Sequence, residues 1–150
     1  MRTFFITLAL AAVTPALAGS TYPGAACEAY SGGTLAFDLN GHIENASTTS
    51  TLNLICPITD PNVTSPSTDS VVWVTDMHFS SNVCCDSRVK NTGSSVVVSS
   101  QSCSTGTNAA AQSLAPVPPA MAYSFSHRFL YCSVPASYQG SRSELRTYRY

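Results

Sequence analysis

The sequence predicts an all-β fold: a disulfide-stabilised antiparallel β-sandwich, jelly-roll or Ig-like, of about eight or nine short strands. Three observations predict it. Short runs of alternating apolar and polar residues are separated by turn residues at fairly even spacing. No stretch of useful length carries the apolar period of an amphipathic helix. The cysteines number six, an even count, and all follow a segment that reads as an export signal. Closure into a barrel is the runner-up architecture.

The elements follow in chain order. Arg2 supplies a positive n-region, Phe4 to Val13 is an apolar run of signal-peptide length, and Ala16-Leu17-Ala18 offers small residues for cleavage. Residues 1–18 are therefore expected to be a signal peptide and residues 19–150 a single domain. Thr34 to Leu39 alternates weakly and ends at Asn40-Gly41, a strong hairpin signal, with His42 to Ser47 returning. Ser50 to Ile58 places Leu52, Leu54 and Cys56 on one face. A polar loop with two prolines spans Asp60 to Asp69. Ser70 to Met77 holds the most apolar run, Val71-Val-Trp-Val74, and reads as a central strand buried on both faces. Asn82 to Val89 is the next strand, and Asn91-Thr-Gly93 turns into the Val-rich Ser94 to Ser102. Ser104 to Asn108 reads as loop, and Ala109 to Leu114 is ambiguous. Pro116-Val-Pro-Pro119 is an extended linker, and Met121 to Val134 holds one long or two short strands. In the terminal strand, Arg142, Glu144, Arg146 and Tyr148 alternate with Ser143, Leu145, Thr147 and Arg149, giving one solvated face.

Three disulfides are expected from Cys27, Cys56, Cys84, Cys85, Cys103 and Cys132. Cys84 and Cys85 are neighbours in a strand-like run, so they point to opposite faces and need different partners. Cys85 shares the buried face with Val83. Cys84 faces outward, where it can meet Cys103 and close a short loop. Cys27, Cys56, Cys85 and Cys132 are left for two inner bridges, with their pairing open. No C-x-x-C pair is present, so a thiol metal site is not expected.

Without Arg2, six Lys/Arg stand against eight Asp/Glu. That balance supplies no polyanion-binding field, and nucleic acid is not an expected partner. No later segment is apolar and long enough for a transmembrane helix. A secreted product, extracellular or periplasmic and monomeric, is the expectation.

Several segments, in order, carry a resemblance: Tyr22-Pro-Gly24, Cys27, Gly41 with Ile43-Glu-Asn45, Leu54-Ile-Cys56-Pro57, Val72-Trp-Val74-Thr-Asp76, Val83 with Cys85, Tyr131-Cys-Ser-Val-Pro135, and Tyr148-Arg-Tyr150. In these the chain resembles a family of small secreted bacterial proteins, best represented among myxobacteria, to which no function is attached. The resemblance implies a secreted β-rich fold in which the Cys-Pro strand pairs with the Tyr-x-Cys strand. It also implies that Cys84 and Cys103 are a pair added to the family pattern.

Candidate chemistry is sparse. Asp76 and His78 stand two apart and serines abound, yet no G-x-S-x-G elbow accompanies them. His42, His78 and His127 lack metal-ligand spacing. Asp60, Asn62, Thr64 and Asp69 offer oxygen ligands of the kind calcium takes, without an EF-hand pattern. Asn45-Ala-Ser47 and Asn62-Val-Thr64 match the glycosylation acceptor pattern. Trp73, inside an apolar run, is expected in the core. Tyr148 and Tyr150 with Arg146 and Arg149 are the candidate exposed ligand surface. The expectation is a non-enzymatic secreted or cell-envelope module that holds an extracellular protein or glycan, without cofactor or metal. A carbohydrate-binding domain is the first alternative. A small secreted hydrolase or hydrolase inhibitor is the second.

Overall fold

The computed structural model describes residues 20–59, 70–90, 93, 95–119 and 126–150. The expected signal peptide, the Asp60 to Asp69 loop with its calcium and glycosylation candidates, and the stretch 120–125 lie outside the described residues.

Among the described residues twelve strands form two antiparallel sheets. They are β1 (Thr21–Pro23), β2 (Glu28–Gly32), β3 (Leu35–Phe37), β4 (Ile43–Asn45), β5 (Leu52–Pro57), β6 (Val71–Asp76), β7 (Cys84–Lys90), β8 (Val96–Val98), β9 (Ser102–Cys103), β10 (Asn108–Leu114), β11 (His127–Val134) and β12 (Glu144–Arg149). The front sheet runs β10-β6-β12-β4-β3, with β1 also on β12. The back sheet runs β2-β5-β11-β7-β8, with β9 also on β7. Among the described residues no pairing joins the two sheets, so the architecture is the sandwich rather than the barrel.

Alternation builds the core. Leu52, Leu54 and Cys56 of β5, Val72 and Val74 of β6, and Leu130, Cys132 and Val134 of β11 are fully buried. Asn40-Gly41 makes the expected hairpin between β3 and β4, with Gly41 at a φ of 78° that only glycine adopts freely. Gly24 is required for a different reason, since a Cβ there would meet the Leu145 carbonyl at 2.1 Å.

All three disulfides lie within the back sheet. Cys27–Cys56 ties the start of β2 to β5, Cys85–Cys132 joins β7 to β11, and Cys84–Cys103 joins β7 to β9. None crosses between sheets. Side chains and packing perform that task. Tyr148 of β12 stacks on Tyr22 at 5.0 Å and donates to the Pro57 carbonyl of β5 at 2.8 Å. Tyr150 and Ser87 share a hydrogen bond between sheets.

Asn45 is the polar hub. Its Nδ2 donates to the carbonyls of Ser50, Val134 and Pro135 at 2.8, 3.0 and 3.1 Å. Its Oδ1 accepts from the amides of Thr34 and Ser47 at 3.1 and 3.0 Å. The side chain is fully buried. The glycosylation reading of Asn45-Ala-Ser47 is thereby corrected: the amide that a glycan needs is enclosed and occupied.

Two facing expectations are also corrected. Tyr148 and Tyr150 are buried, not on an exposed ligand surface. A β-bulge between Leu145 and Thr147, against β6, inserts one residue and reverses the phase of the alternation. Leu145 and Tyr148 therefore both face the core. Arg146 and Arg149 remain on the outside, Arg146 partly exposed and Arg149 exposed. Trp73, expected in the core, lies on the outer face of the front sheet and is partly exposed.

Candidate functional site

The outer face of the front sheet carries a cleft of about 580 Å³. It continues past His42 and Arg146 into a shallower groove of about 440 Å³ that holds Trp73. Local irregularity in two neighbouring strands creates the relief. On one flank of β6, the bulge in β12 turns both Arg146 and Thr147 away from the core, with Thr147 opposite Trp73. On the other flank, β10 slips register between Asn108 and Gln112, so that Ala109 and Ala111 form a wall with little side-chain bulk. Bulges are used to re-aim side chains in this way.

The polar end is built on the β3–β4 hairpin. Asp38 Oδ1 accepts the amides of Asn40 and His42, each at 2.8 Å, and Oδ2 accepts Asn40 Nδ2 at 2.9 Å. This is the turn role that aspartate fills well. Desolvation pushes the Asp38 carboxyl up, but the His42 amide, the Asn40 contacts and the His42 charge together hold it below its ordinary value.

His42 lies 3.0 Å from Asp38 Oδ2 and 3.5 Å from Glu144 Oε2 through Nδ1. Neither approach is aligned as a hydrogen bond, and that nitrogen is buried. Glu44 is engaged by Arg142 at 2.8 Å. In the cleft lining, the Thr75 hydroxyl is buried without a hydrogen-bond partner among the described residues. A buried polar group in that state calls for an outside partner such as water or ligand. Among the described residues no His, Cys, Asp and Glu group is arranged to hold a metal ion.

Asp76 and His78, two apart in sequence, form no shared catalytic arrangement with a serine among the described residues. Asp76 is fully buried, where it accepts the hydroxyls of Ser104 and Ser143 at 2.5 and 3.2 Å and the His78 amide at 3.0 Å. His78 Nδ1 accepts the amides of Ser80 and Ser81, and its ring packs in a cluster with Phe79 and Tyr138. The two side chains do not hydrogen-bond to each other. Both have structural tasks: Asp76 ties β6 to two serines, and His78 closes a turn.

The outer face of the back sheet carries a second aromatic strip along β11: His127, Phe129 and Tyr131, with Tyr30 beside Tyr131. Here the ring face is already in use. The Arg88 guanidinium covers Tyr131 at 3.7 Å and is held there by Asp86 at 2.6 and 3.0 Å. The Trp73 groove is open by contrast, which makes the front sheet the candidate site.

Of the candidates read from sequence, the front face gathers His42, Arg146, Arg149 and Trp73. It excludes Tyr148, Tyr150, Asp76 and His127. Asp38, Glu44, Arg142, Glu144 and Thr75 were not recognisable as a group in sequence, because β3, β4, β6 and β12 bring them together only through sheet pairing.

No protein-family model matches the sequence, and no curated protein matches it. Among solved structures, the chain is similar to a family two carbohydrate esterase from Cellvibrio japonicus, with 8% sequence identity and a TM-score of 0.47. The match covers 87% of this chain and 32% of that one, so the chain spans about a third of that protein's length. Among the described residues no helix is long and apolar enough to cross a membrane.

Proposed function

We propose that the protein is a non-enzymatic, exported binding module that holds carbohydrate on the outer face of its front sheet. One observation carries the reading. Trp73, the one tryptophan of the chain, is turned out of the core into an open groove flanked by two strand irregularities. A core position for so large an apolar ring stabilises a fold by about 2–3 kcal/mol relative to exposure. Its outward placement beside a polar cleft has the composition of a site for an amphipathic ligand. Sugars are such ligands, with a C–H face that rests on an aromatic ring and hydroxyls that need fixed polar partners. Asn40, Glu44, Thr75, Ser141 and Glu144 supply those partners. Three disulfides fit an oxidising compartment.

A glycan array followed by affinity electrophoresis tests the reading. Retention by at least one polysaccharide is expected, lost in Trp73→Ala and kept in Tyr131→Ala. Retention that survives Trp73→Ala but not Tyr131→Ala moves the site to the back sheet and overturns the proposal. An array without hits overturns it as well.

A further inference from the structure

The charges of the front face do not balance evenly along its length, and the imbalance points to a ligand class. At the polar end each carboxylate has a cationic or potentially cationic neighbour: Glu44 has Arg142, while Asp38 and Glu144 flank His42. At the Trp73 end the pattern reverses. Arg146 lines the groove together with Trp73, and among the described residues it makes no ion pair. Arg149 lies two positions beyond Thr147 on the same outer face, about 7 Å further along β12. It is exposed and likewise makes no ion pair among the described residues. Thr147 is the register partner of Trp73, and Arg149 that of Val71. Arg146 thus lines the groove that holds the indole, and Arg149 follows on the same outer face of β12.

Resting on the glycan reading above, we infer that the ligand is an acidic carbohydrate with a carboxylate on the sugar ring that meets Trp73. The ring's C–H face rests on the indole, and the carboxylate takes the planar fork of Arg146, a geometry that guanidinium and carboxylate share. Arg149 serves the next acidic residue of the chain. The bulge in β12 sets the second cation: under strict alternation Arg146 would still face outward, but Tyr148 rather than Arg149 would follow it on that face. The carboxylates at the polar end oppose a densely charged polyanion, so one carboxylate per ring suits the face better than clustered sulfates.

Calorimetric titration with matched pairs tests this: oligogalacturonate against neutral galacto-oligosaccharide, and glucuronoxylan against unsubstituted xylan. The acidic member of at least one pair is expected to bind about tenfold tighter or more, with that preference shrinking as salt rises. Arg146→Gln is expected to remove most of the preference for the acidic member, and Arg146→Lys to restore part of it, since charge returns without the fork. The salt dependence of the unaltered protein reads the same term without a variant. Equal or tighter binding of the neutral members, or array hits confined to neutral or sulfated glycans, overturns the carboxylate assignment and leaves the glycan reading standing. No binding by either pair together with an empty array removes both.

Discussion

Asn45→Ala is the most informative perturbation of the fold. Asn45 joins the β3–β4 hairpin of the front sheet to the end of β11 in the back sheet, and no disulfide does this. Removal of its amide deletes five hydrogen bonds. The Val134 and Pro135 carbonyls lie in buried surroundings and lose a donor, while the Thr34 and Ser47 amides lose an acceptor nearer the surface. A net bond contributes about 1 kcal/mol, and a buried group left unsatisfied costs about 1–3 kcal/mol. Because the five share one side chain their losses do not simply add, and the expected destabilisation is about 3–5 kcal/mol. For a domain of this size that lowers Tm by about 10–20 °C. Urea unfolding followed by circular dichroism, with disulfides intact, measures it. Asn45→Asp separates bonding from volume: its shape is the same, but an oxygen replaces Nδ2 and faces three carbonyls. At neutral pH it is expected to lose at least as much stability as Asn45→Ala. A loss under about 1 kcal/mol for Asn45→Ala, or a well-tolerated Asn45→Asp, refutes the hub.

Two further outcomes follow from the core and the bridges. Replacement of Cys84 and Cys103 by serine opens a loop of sequence separation 19 at the edge of the back sheet and is expected to cost about 3 kcal/mol. The same change at the fully buried Cys85 and Cys132, separation 47, is expected to cost more, since it also leaves polar groups in the core; chemical denaturation showing the reverse order refutes this. Burial, reinforced by Tyr22, pushes the Tyr148 phenol well above the ordinary tyrosine value. The unfolded chain releases that proton first, so the stabilisation is complete below about pH 10 and falls as pH rises beyond it. Tyr148→Phe should flatten the decline in denaturation midpoint, and an unchanged slope refutes the assignment.

The strand pattern and the hairpin at Asn40-Gly41 were legible because alternation and turn chemistry are local properties. The opposite facing of Cys84 and Cys85 was legible for the same reason. The register that pairs Cys27 with Cys56 and Cys85 with Cys132 was not, since spacing does not encode strand order. Thr21–Pro23 and Glu28–Gly32 carry little β-pattern and become strands by pairing with β12 and β5. Ala109 to Leu114 gave no decision either, because alanine has weak strand preference; its place beside β6 is set by pairing. The candidate site was hardest to read. Val71-Val-Trp-Val74 looks buried on both faces, yet among the described residues the second sheet covers one face only, so Trp73 emerges outside. One bulged residue in β12 then reversed the expected exposure of Tyr148 and put Arg149 on the outer face with Arg146.

Trp73 also supplies the most direct test of the account, because no other tryptophan contributes to the emission of the protein. Fluorescence and acrylamide quenching are recorded with and without each retained glycan. A shifted emission and reduced quenching are expected on binding, as a sugar ring covers the indole. A glycan that is held while Trp73 emission and quenching stay unchanged contradicts it.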